Sequence, residues 1–122
     1  MKSDLLEKWL IYTNQHNKLE NILENALKRE FNLSLNEFYV LYYLEESDQK
    51  CLKLNDLTQK FCLSQSAMSR MMMRMENSSC GAVERKNCQD DRRGIYIHLT
   101  SKGKEKLDKS KQLVEEILLK YQ

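Results

Sequence analysis

The chain has 122 residues, of which 41% are hydrophobic and 31% are charged, and its formal net charge is +2 at pH 7. A length near the common domain size predicts one domain with a modest hydrophobic core. No run of eighteen apolar residues is present, so the sequence predicts no membrane span, and acidic residues at Asp4 and Glu7 argue against a secretory signal. We therefore expect a cytoplasmic protein.

The charge is unevenly distributed along the chain. Residues 1–50 carry six Lys or Arg and nine Asp or Glu, a net charge of −3. Residues 60–104 carry nine basic and four acidic residues, a net charge of +5. Such an asymmetry favours a polyanionic partner for the middle of the chain, although basic patches also occur as ordinary solvated faces.

Few residues of metal-binding or redox chemistry are present. The cysteines and histidines are Cys51, Cys62, Cys80, Cys88, His16 and His98. They show no metal-ligand spacing, so no metal or other cofactor is expected. Reduced, partly buried thiols are usual in a cytosolic protein, and a redox role for Cys80 or Cys88 is the open alternative. An enzyme is a remote hypothesis, because we find no Ser/His/Asp grouping and no phosphate loop.

The first predicted element is a long helix over residues 3–30. Its apolar seam alternates spacings of four and three through Leu5, Trp9, Tyr12, His16, Leu19, Leu23 and Ala26. A single helix cannot bury this seam against itself, so it needs a second long helix from this chain or from another. His16 on the seam is either a satisfied interface histidine or a group that senses pH or a ligand.

Three shorter helices follow. Ser34, with Glu37 three residues later, has the capping-box pattern and predicts the second helix. A third helix is predicted over about 54–62, and Ser64 is a suitable N-cap for a fourth helix over 65–78. Two short helices joined by a tight turn are typical of a helix-turn-helix.

The fourth predicted helix has two unlike faces. Its methionines at i, i+3, i+4 and i+7, which are Met68, Met71, Met72 and Met75, are expected to face the core. The opposite side carries small hydroxyls, arginines and one methionine instead of the usual mixture of Glu and Lys. The candidate DNA-binding residues on this helix are Gln65, Ser66, Ser69, Arg70, Met73 and Arg74.

These side chains match chemical features of duplex DNA. Hydroxyls near a helix N-terminus can approach phosphates or base edges. Arg70 can present two donors to guanine O6 and N7, Met73 can pack on a thymine methyl, and Arg74 is better placed for a phosphate. For either arginine the alternative is a solvated surface charge or an ion pair with Glu76 or Asp91.

After Gly81 the pattern changes to that of strands. The segments AVERK and IYIHLT predict an antiparallel hairpin, the wing, over residues 83–100, with NCQDDRRG as its charged loop. Arg92 and Arg93 are expected at the tip, where they can enter a minor groove, and an adjacent aspartate can hold such a guanidinium in place. The alternative is an ordinary charged turn. From Ser101 the helical period returns.

Several of these segments together resemble the MarR family of winged-helix transcription regulators. The resemblance is carried by LSQSAMSRMMMRME, GAVERK and DDRRGIYIHLTSKG, and KREFNLSLNEFYVLYYL is similar to the short SarA branch of that family. It implies a mainly α-helical fold with a small β-wing, in a single domain over 1–122. The winged helix-turn-helix would occupy residues 33–100, with dimerisation helices at 1–32 and 101–122.

The resemblance also implies a homodimeric, sequence-specific regulator bound to a pseudo-palindromic operator in double-stranded DNA. Ser69 and Arg70 correspond to the Ser-Arg of the family's recognition helix. Arg93 corresponds to the wing arginine, Asp91 to the aspartate that orients it, and Arg85 to the strand arginine near the DNA backbone. The recognition helix would enter the major groove and the wing the minor groove.

Two further interpretations stay open. The winged helix could be a protein-interaction module that modulates another regulator without binding DNA itself. A steep fall of duplex affinity with salt discriminates between these functions. A small-molecule effector is also a hypothesis, with Tyr12, His16 and Tyr42 as candidate contacts, although tyrosines at helical spacing are more often plain core or interface.

Overall fold

The computed structural model describes residues 3–77, 79–88 and 91–121, and for residues 87, 88 and 91–93 it describes the backbone alone. Over these residues the chain forms five α-helices and three β-strands. The helices are α1 (Asp4–Phe31), α2 (Leu35–Glu46), α3 (Leu54–Thr58), α4 (Gln65–Glu76) and α5 (Ser101–Lys120). The strands are β1 (Cys51–Lys53), β2 (Val83–Cys88) and β3 (Asp91–Leu99). The predicted fold class, mainly α-helical with a small β-wing, is confirmed.

The chain divides into two compact units. One consists of Met1–Leu35 with Ser110–Gln122, and the other of Asn36–Lys109. The division falls inside α5, so the first half of this helix belongs to the unit that contains the helix-turn-helix and the wing. The assignment of residues 101–122 to a dimerisation helix stays a prediction.

In the first unit, α1 begins and ends at residues suited to those positions. The Ser3 hydroxyl accepts a hydrogen bond from the Leu6 amide, and Asn32 ends the helix in the left-handed conformation (φ 54°). The buried residues of this unit are Leu23, Ala26, Leu27, Leu33, Leu35, Ser110 and Val114. No helix in the part of the chain that the structure describes is long and apolar enough to cross a bilayer.

The hydrophobic core of the second unit draws on α2 to α5 and on the sheet. Its buried apolar residues are Phe38, Val40, Leu41, Leu44, Leu57, Met68, Met71, Met72, Met75, Ala82, Val83, Ile97 and Leu107. The four methionines of α4 are each at most 2% exposed, which confirms the predicted core stripe. Flexible methionine side chains suit the irregular space between helices and a short sheet.

The predicted starts of α2 and α3 agree with the structure, but α3 ends early. It ends at Thr58, whose hydroxyl donates to the Leu54 carbonyl at 2.8 Å. The amides of Lys60 and Phe61 then bond to carbonyls three residues earlier, which is the tighter 3₁₀ pattern. The last turn of the predicted helix 54–62 is therefore not α-helical.

The strands form one antiparallel sheet in the order β1–β3–β2. Cys51 of β1 lies opposite His98 of β3, and Val83 of β2 lies opposite Leu99. The sequence does not predict β1, because a segment of this length shows no readable alternation and becomes a strand by pairing with β3.

The two strands of the wing are longer than predicted. β2 continues to Cys88 and β3 starts at Asp91. Arg92 and Arg93 therefore lie within β3 and not in a loop. After a register shift between Lys86 and Cys88, the pair of Cys88 with Asp91 extends the hairpin beyond the point where apolar alternation ends, so alternation alone underestimates its length.

The Leu-Thr-x-x-Gly segment joins the start of α5 to the turn before β2. The Thr100 hydroxyl donates to the Gly81 carbonyl at 2.6 Å and accepts from the Gly103 amide at 3.0 Å. A Cβ at Gly103 would lie 2.1 Å from the Ala82 carbonyl oxygen, so the close approach requires glycine. The motif thus has a packing role.

A cluster of charges connects α2 to α5 within the second unit. Glu45 lies 2.9 Å from both Lys50 and Lys104, and Lys104 lies 2.9 Å from Asp108. Hydrogen bonds from Lys104 and then Lys50 lower the pKa of Glu45, and the bonds to Glu45 and Asp108 raise the pKa of Lys104. The charged forms are therefore favoured in the folded state.

Replacement of Met72 tests the two faces of α4. Met72→Ala should lower the free energy of unfolding by about 2–5 kcal/mol, because it removes a buried side chain and leaves a cavity. Met73→Ala is the matched control, since Met73 is 65% exposed. It should change stability by less than about 0.5 kcal/mol. Urea denaturation at one chain concentration measures both, and equal losses would contradict the assignment of faces.

Acid should weaken the contribution of Glu45. Because the pKa of Glu45 is lowered on folding, its stabilisation is present above the unfolded pKa and is lost as the pH falls through the folded pKa. Glu45→Gln should thus be less stable than the wild type near neutral pH but lose less stability on acidification. Thermal melts across the acid range measure this, and Glu46→Gln, at the exposed neighbour, should follow the wild-type profile. Parallel losses for the wild type and Glu45→Gln would count against the role of the cluster.

Candidate nucleic-acid interface

The helix-turn-helix consists of α3 and α4. Ser64 caps α4 through a hydroxyl that accepts a hydrogen bond from the Ala67 amide at 3.1 Å, which confirms the predicted N-cap. The helix ends at Glu76, and Asn77 follows with extended backbone (ψ 141°). The predicted end, residue 78, lies outside the described residues.

The outer face of α4 is open to solvent. Met73 is 65% exposed, and the Arg74 side chain is 62% exposed. The other candidate contacts on the helix are also exposed, namely Gln65, Ser66, Ser69 and Arg70. Among the described residues, none forms an ion pair with Arg70. Burial of the methionine stripe therefore places Arg70 and several small polar groups on the exposed side of the helix.

Arg74 is paired with an acid that the sequence analysis did not consider. Its Nε lies 3.8 Å from Oε2 of Glu37, which belongs to α2 and has a side chain only 11% exposed. The alternatives expected from the sequence were Glu76 and Asp91. The pairing acid is distant in sequence, and only the packing of α2 against α4 brings it close. At 3.8 Å this is an ion pair longer than a hydrogen bond, and the Arg74 side chain is still 62% exposed.

Arg85 on β2 also has an acidic partner. Its Nε donates a short hydrogen bond to Oε1 of Glu76, the last residue of α4. The Arg85 side chain is 36% exposed and that of Glu76 is 27% exposed. The candidate strand arginine is therefore tied to the recognition helix.

Two residues that the sequence analysis did not select border the same surface. A shallow groove between α3 and α4 brings Asn55 beside Gln65 and Ser69. Lys53 lies against the wing, because a Cβ at Gly94 would be 2.6 Å from Lys53 Cε. Asn55 lies in the first turn of α3 and Lys53 belongs to strand β1, which the sequence did not predict, so neither residue gave a signal in the sequence.

The wing residues Asp91, Arg92 and Arg93 lie at the start of β3. Their side chains are outside the described part of the chain. The roles expected for them, minor-groove contact and orientation of an arginine by an aspartate, therefore stay predictions.

The candidate effector residues are only partly brought together. A cleft of about 500 Å³ in the first unit is lined by Tyr12, Gln15, His16, Lys18, Leu19, Ile22 and Tyr121. Within it, Tyr12 stacks on His16 with ring centroids 5.9 Å apart, and His16 Nε2 lies 3.2 Å from Glu20. Tyr42 belongs to the second unit and does not line this cleft, so its part in an effector site stays a prediction.

The described residues were also compared with what a metal site or a disulfide requires. They contain no group of three or more His, Cys, Asp or Glu side chains that could hold a metal ion. Among the described residues, Cys51, Cys62 and Cys80 form no disulfide, and Cys80 Sγ lies 3.9 Å from Lys106 Nζ. The side chain of Cys88 lies outside the description, so a redox role for the cysteines stays an open hypothesis.

A recognition helix beside a two-stranded wing, with β1 completing the sheet, defines a winged helix-turn-helix protein. The family profile described as transcriptional regulator SarA/Rot matches residues 22–110. The chain belongs to the SarA/Rot family of transcriptional regulators. No curated protein sequence matches it significantly.

Solved structures of MarR-family regulators share this fold. AbsC from Streptomyces coelicolor is 28% identical over 99% of this chain and 80% of its own, with a TM-score of 0.86. Sco3205 from the same organism, in complex with DNA, is 24% identical over 99% of this chain and 74% of its own, also with a TM-score of 0.86. A MarR mutant from E. coli, complexed with operator DNA, is 23% identical over 98% and 85% of the chains, with a TM-score of 0.76. The predicted resemblance to MarR regulators is confirmed.

Proposed function

We propose that this regulator is a homodimer that binds double-stranded DNA, with α4 in the major groove and the wing in the adjacent minor groove. The observation that carries the proposal is the outer face of α4, where hydroxyls, arginines and Met73 are exposed while the methionine stripe is buried. The DNA in the structures of Sco3205 and of the MarR mutant supports the same activity for this chain.

Each exposed group on α4 suits a different part of the duplex. Arg70 can donate two hydrogen bonds to guanine O6 and N7, and Met73 can contact a thymine methyl. Arg74, already held by Glu37 on one side, can direct its outer donors to a phosphate. Ser66 near the helix N-terminus can approach the sugar-phosphate backbone. The proposed contacts with bases and those with the sugar-phosphate backbone thus come from the same helix.

The surface of α1 supports the dimer. Six large apolar side chains near its N-terminus are 57% to 80% exposed, namely Leu5, Leu6, Trp9, Leu10, Ile11 and Tyr12. Leu119 and Tyr121 near the end of α5 are 75% and 52% exposed. Many exposed large apolar side chains along one stretch of helix are typical of an interaction site, and a heptad-like seam can pack against a copy of itself. A two-fold dimer would place two recognition helices on a pseudo-palindromic operator.

A small-molecule effector is a second proposal, favoured by the cleft around Tyr12 and His16. Its volume of about 500 Å³ and its aromatic lining are typical of ligand sites. Tyr12 belongs both to this cleft and to the exposed apolar surface of α1. An effector bound there would therefore act on the surface proposed for dimerisation.

Substitution of the two arginines of α4 should separate base recognition from phosphate binding. Arg70→Ala is expected to cost about 1–3 kcal/mol on a selected duplex and to relax the preference at one base pair. Arg74→Ala should weaken all duplexes evenly and lower the slope of log affinity against log salt by about one. Fluorescence anisotropy at several salt concentrations, on a duplex selected from random sequence and on a scrambled one, measures both.

Arg29→Ala is the charge-matched control for this experiment, because Arg29 is exposed on α1. It should leave affinity and salt dependence near wild-type values. A wild-type affinity that does not fall with salt would contradict the proposal and favour the protein-interaction module.

The dimer is tested at Trp9. Trp9→Asp places a charge within the exposed apolar surface of α1 and should dissociate the dimer, with a loss of DNA affinity of about tenfold or more. Sedimentation equilibrium and the anisotropy titration measure the two effects. Asn14→Asp introduces the same charge at an exposed polar position of the same helix and should leave the dimer intact. A wild-type chain that is monomeric, or a Trp9→Asp variant that stays dimeric, would oppose this interface.

A further inference from the structure

The end of the recognition helix and the wing are joined by both backbone and side chains. The Ala82 amide donates to the Met75 carbonyl at 2.9 Å, and the Gly81 amide donates to the Asn77 carbonyl at 2.6 Å. These bonds fix the path of the chain from α4 towards β2. They lie at the root of the wing, where the chain leaves the helix.

Beyond this root, Glu76 and Arg85 form the next connection. Glu76 is the last residue of α4, and Arg85 lies on β2, two residues after the buried Val83. The hydrogen bond from Arg85 Nε to Glu76 Oε1 therefore holds the strand against the helix at a second point. The hairpin is therefore attached to the end of α4 at two points.

The sign of the charge on Glu76 shows that it does not serve DNA binding by direct attraction. It is the one acidic residue of α4, a helix whose outer face carries arginines. A carboxylate near a phosphate backbone lowers affinity through repulsion, so its presence here calls for an indirect contribution. Its pairing with Arg85 supplies one.

We propose that Glu76 is a positioning residue, which through Arg85 fixes the wing against the end of the recognition helix. Arg85 would then act in DNA binding through Glu76 and not through a phosphate. This inference rests on the proposed DNA-binding function and deepens it, because helix and wing would meet the two grooves as one body with a preset spacing.

In the first test, Glu76→Gln should change DNA affinity in opposite directions according to whether Glu76 positions the wing or only repels the phosphates. Removal of an acid from a DNA-facing surface by itself strengthens binding. If Glu76 positions the wing, Glu76→Gln should instead weaken binding to the selected duplex, by about tenfold. Glu84→Gln is the matched control, because Glu84 is an exposed acid on the same strand and pairs with Lys86 at 3.5 Å. It should bind as well as the wild type or more tightly.

The second test exchanges the two charges. Glu76→Arg and Arg85→Glu should each weaken binding, and the double variant, which has the wild-type net charge, should recover most of the affinity. If Arg85 instead contacts a phosphate, Arg85→Glu places an acid at that phosphate and the double variant stays as weak as Arg85→Glu alone. Recovery by the exchange also shows that the single variants lost an interaction and not the ability to fold.

The outcomes separate this inference from the proposed function. A wild-type chain that binds no duplex overturns the proposed function and the inference with it. A wild type that binds, together with a Glu76→Gln variant of equal or tighter affinity, overturns the inference alone. Failure of the charge exchange to restore affinity has the same meaning. The inference is supported if Glu76→Gln lowers DNA affinity, Glu84→Gln does not, and the double variant recovers most of the affinity.

Discussion

Burial of four methionines on one side of α4 is the constraint on which the rest of the site depends. A helix can rotate about its axis unless one face is fixed, and the core of the second unit fixes this one through Met68, Met71, Met72 and Met75. The rotation then determines that Arg70 and Met73 face solvent. The buried methionine face therefore determines which side chains of α4 are exposed. It makes no contact of its own with a partner.

Such a constraint is local, and this is why the sequence predicts it well. Helical periodicity and the cap at Ser64 are patterns within a few residues, and both agree with the structure. The strand around Ile97 also forms, although Ile95 in the same alternating segment is 44% exposed. What the sequence could not predict depends on pairing between distant segments. Strand β1 exists because β3 lies beside it, and the pairs Glu37 with Arg74 and Glu76 with Arg85 require packing between different elements.

The apolar surface of α1 shows a different limit of sequence reasoning. Its periodicity correctly predicts a helix, yet an apolar seam has the same pattern whether its partner lies within the chain or outside it. In the structure, Leu23 and Leu27 are buried whereas Leu5 and Trp9 are 80% and 61% exposed. The seam thus changes its role along one helix, from core of the chain to surface available for association. Only the structure shows where along α1 the apolar residues change from buried to exposed.

The arginines of the second unit differ in how far they are fixed before any partner arrives. Arg74 and Arg85 are held by carboxylates, whereas no described residue pairs with Arg70. An arginine that is already oriented loses less side-chain entropy when it binds, while an unpaired one can adjust to the geometry of a base edge. The pairing of Arg85 therefore suits a structural role, and that of Arg74 suits contact with the regular phosphate backbone. Arg70, which pairs with no described residue, suits contact with a base. Because Glu37 and Glu76 each pair with one of these arginines, we expect the arrangement of the arginines, more than their number, to determine which DNA sequence the surface prefers.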